Sequence, residues 1–146
     1  MKKKTAALPL LMVMTVLIMV FIVVMLPLLP RLLRFYAGVF HIGSIGSIMT
    51  ALYISAPVGL AACVLLLILL SNIRKDVLFV MKNVTVLKAL SWCCLFVGVE
   101  YIVIGFGYYT MLALGFAALF FGLILRVIAA AFGKAVELRE ENDFTV

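Results

Sequence analysis

Charge is what this chain has least of. Asp, Glu, Lys and Arg make up 12% of its 146 residues, and 68% are apolar. A soluble domain carries about twice that share of charge. Acids are the scarcest: six in all, with only Asp76 and Glu100 before residue 137. There is one histidine, His41, with no carboxylate or cysteine beside it in sequence. The chain therefore lacks a Ser/His/Asp set, an HExxH pair, a phosphate loop and paired catalytic carboxylates, and the expectation is a protein that is not an enzyme. The three cysteines, Cys63, Cys93 and Cys94, all lie inside apolar runs without the spaced Cys/His company of a zinc site. Neighbouring Cys93 and Cys94 point about 100° apart on a helix, so a disulfide between them would be strained. They read as packing residues, and no cofactor is expected. No low-complexity segment or repeat of useful period is present.

What the chain does have is long apolar runs. Runs above about 18 residues signal bilayer spans. Four are marked out, at 6–29, 45–70, 87–104 and 110–132. The opening MKKK resembles the start of a signal peptide, but the run from Ala6 to Leu29 exceeds a signal core of about 7–15 residues. It reads as a retained first span, closed at its far end by Pro27 and Pro30, which cannot continue the hydrogen-bond ladder. Residues 31–43 then form a loop lying in the interface, with Arg31, Arg34 and His41 among its aromatic residues. The fold class expected is all-α, an integral membrane four-helix bundle built from two transmembrane hairpins as a single domain.

The polar stretch 71–86 joins the two hairpins. It reads as an amphipathic helix with Ile73, Val77, Val80, Met81, Val84 and Leu87 on one side and Arg74, Lys75, Lys82 and Lys88 on the other. Ten of the twelve cationic side chains fall at one end of the spans: Lys2, Lys3, Lys4, Arg74, Lys75, Lys82, Lys88, Arg126, Lys134 and Arg139. Only Arg31 and Arg34 fall at the other. The positive-inside rule puts both termini and the hinge in the cytoplasm. Basic residues that flank apolar runs report orientation and attraction to anionic lipid, not nucleic acid. The tail 133–146 carries Glu137, Glu140, Glu141 and Asp143 with Arg139, helical to about Glu141 and extended beyond. An acidic patch beside a basic face either caps the hinge or presents a docking site. Arg74, Lys75, Lys82, Asn83 and Lys88, with those tail residues, are the candidates for holding a partner or lipid.

Two stripes of small residues point to close helix packing. Ser47, Ala51, Ser55, Gly59 and Cys63 recur every four residues on the second span. Gly115, Ala118, Gly122 and Ala129 share a face of the fourth. In lipid, small residues let backbones approach, within one chain or between copies of a homo-oligomer. Pro57 should kink the second span. Arg126 is expected to snorkel to the interface, where Trp92 also lies. Glu100 is the one acid inside a span, four residues from its outer end. It can pair with Arg31, Arg34 or His41, or it can carry a ligand or proton. The pair is the expectation.

Two stretches together carry a resemblance: Phe79-x-x-x-Asn83-x-x-x-Leu87-Lys88-x-x-Ser91-Trp92, and the tail FGKAVELREENDFTV from Phe132 to Val146. The pairing resembles a family of small bacterial four-span membrane proteins catalogued as a domain of unknown function. It covers the second half of the chain and departs at Phe144, where such tails often have Leu. It implies a bacterial inner membrane, and a gene neighbourhood often holding small helix-turn-helix regulators. A regulatory protein holding a cytoplasmic partner of that kind on hinge and tail is therefore expected. The rival is a small transporter or channel using Glu100 as a coupling carboxylate.

Overall fold

The computed structural model describes residues 2–40 and 45–145. Residues 41–43 of the expected first loop, His41 among them, lie outside the described residues, as do Met1, Ser44 and, in the tail, Val146. Four helices account for nearly all the rest: α1 Lys2–Phe40, α2 Ile45–Arg74, α3 Met81–Ile104 and α4 Tyr109–Phe144. All four are long and apolar enough to cross a bilayer. Hydrocarbon offers no hydrogen bonds to bare backbone, so an apolar run of this length satisfies its own amides by coiling. The chain is a multi-pass membrane protein of all-α class.

Two expected boundaries give way to longer helices. The residues expected as a loop, 31–40, continue α1, which runs through Pro9, Pro27 and Pro30 without a break. A proline removes one N–H, and the carbonyl it orphans lies four residues earlier. For Pro30 that is Leu26, whose carbonyl accepts a 3.2 Å hydrogen bond from the Tyr53 hydroxyl of α2. A neighbouring helix thus supplies the missing donor, and helical geometry survives. The tail does not turn extended after Glu141 either, because α4 stays helical to Phe144.

The expected amphipathic hinge helix is replaced by a tight turn. Ser71–Arg74 finish α2, and Met81 already opens α3. The turn is made by Asp76, which takes the left-handed conformation at φ 56°. Around it Val77 N donates to Asn72 O at 3.1 Å and Asp76 N to Ile73 O at 3.1 Å. These are the two bonds of a Schellman helix ending, with aspartate in the position glycine usually fills. A left-handed residue ends α2 at once, so no second helix forms before α3.

The helices stand in an open row. Each packs on its neighbours in the chain, and α1 and α4 do not meet among the described residues. The α3–α4 hairpin is the most extensive pairing and supplies most of the core. Its intimacy comes from glycine. A Cβ at Gly98 would stand 2.9 Å from the backbone nitrogen of Leu119, and one at Gly122 would stand 3.2 Å from that of Leu95. Gly115 approaches the Gly98 carbonyl as closely. Ser91, wholly buried, donates 2.8 Å to the Gly122 carbonyl across the pair. The α4 stripe read from sequence is thus a contact face, with Gly115, Gly122 and Ala129 buried and Ala118 half-buried.

The α2 stripe is looser than expected. Ala51 is buried, but Ser47, Ser55, Gly59 and Cys63 remain partly exposed. A Cβ on Gly59 would meet only Ile22 Cδ1, at an ordinary 3.7 Å. The stripe does face other helices of the chain, α1 through Gly59 and α3 through Ser55, without the backbone proximity of the α3–α4 pair.

Candidate functional site

Two regions hold the candidate residues, one inside the membrane helices and one at the end that carries the α2–α3 turn. Within the helices, Glu100 sits one residue before Tyr101, whose hydroxyl shares a 3.2 Å hydrogen bond with Ser55 Oγ of α2. At 100° per residue Glu100 lies about 200° round α3 from Gly98, turned away from α4. Its exposure is 8%, and neither carboxylate oxygen has a hydrogen-bond partner among the described residues. The expected pair with Arg31 or Arg34 is therefore not formed. Because 31–40 stays helical, both arginines project from α1 as exposed side chains and do not fold back over the bundle. His41, the third expected partner, lies outside the described residues.

An uncompensated carboxylate in hydrocarbon costs about 2.5–3.5 kcal/mol on insertion scales. Glu100 is four residues from Ile104, so about 6 Å of helix separates it from the end of α3. Beside it opens a cleft of about 490 Å³ between α1, α2 and α3, lined among others by Ile22, Leu26, Leu29, Gly59, Val97 and Tyr101. The lining is almost wholly apolar, and Ser55 and Tyr101 satisfy each other. Such a surface accommodates hydrocarbon. Glu100 adjoins the cleft through Val97 and Tyr101 and is not part of the lining.

At the turn end, Asn83 organises the geometry. It is 2% exposed, and its amide donates to Val77 O at 2.7 Å and Leu78 O at 2.9 Å while its Oδ1 accepts from Asn72 Nδ2 at 2.7 Å. These three bonds tie the end of α2 and the turn to the first helical turn of α3. Asn83 was expected on a docking surface. It is instead buried, because the turn leaves carbonyls that only a side-chain amide can reach. Phe79 stacks on Phe132 of α4 at 5.8 Å between ring centroids. Val136, 2% exposed, anchors the next turn of α4.

These contacts carry α4 past the apolar part of the bundle as a fixed projection. Between it and the turn lies a cleft of about 370 Å³ lined by Asp76, Phe79, Val136, Arg139, Glu140 and Asp143. The structure thus brings the turn together with Arg139, Glu140 and Asp143. Arg74, Lys75, Lys82, Glu137 and Glu141 are exposed on the same end but line no cleft with them. Lys88 stands apart, one turn from Trp92 on α3.

Trp92 and Arg126 form a contact that sequence separation hides. The guanidinium carbon lies 5.0 Å from the ring centroid. Both had been expected near the interface, but not on each other. Gly98 also escaped the sequence reading, although Ser91, Gly98 and Gly105 recur at seven-residue spacing and match the heptad of Gly115, Gly122 and Ala129. No group of His, Cys, Asp and Glu among the described residues could hold a metal ion. No protein-family model, curated protein or solved structure matches the chain.

Proposed function

We propose that this is a bacterial inner-membrane protein that docks a soluble cytoplasmic partner on its turn end. Both termini and the α2–α3 turn face the cytoplasm in this reading, supported by the ten-to-two division of Lys and Arg between the ends. The observation that carries it is the packing of the α4 extension against the turn. Phe79 stacks on Phe132 and Val136 is buried beside the turn that Asn83 braces, so Arg139, Glu140 and Asp143 surround a cleft with exposed Phe79 at its rim. A pre-ordered surface loses little entropy on binding. Mixed charge there suits a protein partner better than a lipid surface. The resemblance to a family encoded beside helix-turn-helix regulators makes such a regulator the partner class proposed.

The test is purification of the intact protein from native membranes, beside a variant carrying Arg139→Glu and Asp143→Lys. A soluble DNA-binding protein recovered in defined ratio with the first and lost with the second supports the reading. Recovery of the protein with nothing bound, at lysis conditions that keep known membrane complexes intact, refutes it.

A second reading is favoured by one observation, the buried and unpartnered carboxyl of Glu100. Acids so placed mark ligand or proton pathways by default. In that reading the protein is a small transporter with Glu100 as its coupling group. Reconstituted vesicles decide: proton-linked flux of a solute that vanishes with Glu100→Gln, at unchanged protein level, would replace docking by transport.

A further inference from the structure

Arg126 lies inside the fourth membrane helix, flanked by Leu125 and Val127 and six residues before Phe132. It is therefore about 9 Å deeper than that ring. A guanidinium keeps its charge everywhere in a protein. At that depth it needs an anion, and the described residues supply none nearby. On α4 the first acid is Glu137, three turns further along, and on α3 the sole acid is Glu100, two turns beyond Trp92 and unbonded. Asp76 belongs to the turn, beyond the start of α3.

The surroundings of Arg126 are those of a binding site. Its guanidinium covers the ring of Trp92, with 5.0 Å to the centroid. The ring contact does not use the N–H groups of Arg126, which remain able to donate to an anion. Lys88 precedes Trp92 by one helical turn and so shares its side of α3. Trp92 stands nine residues before Tyr101, half a turn round from the face that meets α2. The three side chains thus occupy the outer seam of the α3–α4 hairpin, where Trp92 is 60% exposed and both cations are exposed.

We propose that Lys88, Trp92 and Arg126 form a headgroup site for an anionic phospholipid. The edge of Arg126 donates to the phosphate oxygens, and Lys88, nearer the end of the helix, meets the rest of the headgroup. Trp92 holds the guanidinium and lies along the upper acyl chains. Charge complementarity selects the occupant. Two cations without an acid favour a lipid with net negative charge over a zwitterionic one, whose ammonium would be brought against Lys88. The site stands whether or not a soluble partner docks at the turn.

Trp92 is the chain's one tryptophan, so its fluorescence reads the site directly. The full chain is placed in nanodiscs of phosphatidylcholine containing equal mole fractions of either brominated phosphatidylglycerol or brominated phosphatidylcholine. Quenching should show a preference for the anionic lipid of at least about fivefold, the effect of one basic side chain near a charged surface. Arg126→Gln should lower that preference about fivefold, whereas Lys134→Gln, at an exposed position two turns further along α4, should leave it unchanged. Equal quenching by the two lipids overturns the proposal. So does selectivity that survives Arg126→Gln or that falls as far with Lys134→Gln, which would mean diffuse surface charge. If Arg126→Gln does not assemble, Lys88→Gln takes its place, with a fall of similar size expected and no fall counting against the site.

Discussion

A methyl group added at Gly98 should destabilise the protein, and one added at Gly59 should not. At Gly98 the new Cβ would lie 2.7 Å from Leu119 Cγ and 2.9 Å from the Leu119 backbone nitrogen. Carbon contacts are optimal at about 3.5–4.0 Å. The leucine side chain can rotate, but the backbone cannot, so α4 must move away from α3. That movement loosens the buried Ser91 bond to the Gly122 carbonyl. Overpacking costs about 1–3 kcal/mol. Alanine recovers up to about 1 kcal/mol of helix propensity over glycine. The net expectation for Gly98→Ala is a loss of up to about 2 kcal/mol. At Gly59 the nearest atom is Ile22 Cδ1 at 3.7 Å, an ordinary contact at the edge of an open cleft. There the propensity term stands alone, and Gly59→Ala should be neutral or stabilise by up to about 1 kcal/mol. Unfolding in mixed micelles, followed by loss of helical circular dichroism, measures both. If Gly59→Ala destabilises as much as Gly98→Ala, the α2 stripe is the tight contact and the packing account fails.

Three further experiments probe single features. Tyr53→Phe leaves the Leu26 carbonyl orphaned by Pro30 without a donor, at a cost of about 0.6–1.7 kcal/mol for a membrane hydrogen bond. In a Pro30→Ala background the helix satisfies that carbonyl itself, so the same change should cost almost nothing, and an equal cost in both backgrounds would refute the account. Asn83→Ala removes three hydrogen bonds and should destabilise by about 1–3 kcal/mol or more, with faster amide hydrogen exchange across 75–80. Unchanged exchange there would show that the turn holds without it. Because Glu100 has no partner among the described residues, Glu100→Gln and Arg34→Gln should be additive within about 0.5 kcal/mol. A coupling above about 1 kcal/mol would reinstate the ion pair.

Helix number, helix class and the approximate position of each span could be read from the residues alone. Transfer of an apolar run into a bilayer depends on that run and on the solvent, not on which helix lies beside it. The α4 contact face was legible for a related reason, since glycines at heptad spacing leave a groove whatever fills it. How the helices end was not legible. Pro27 and Pro30 look like terminators until Tyr53 of another helix supplies a donor at Leu26. Residues 71–86 have the pattern of an amphipathic helix, but the left-handed turn at Asp76 and the buried amide of Asn83 use them otherwise. Lipid is as apolar as the side chains it surrounds, so hydropathy carries no information on which helices pair. That choice depends on close approach between two backbones, as at Gly98 and Leu119, and on polar groups that meet only across helices, as Trp92 meets Arg126. The same choice left Glu100 buried beside an apolar cleft with Arg31 and Arg34 facing away, a relation that exists only once all the helices have been placed.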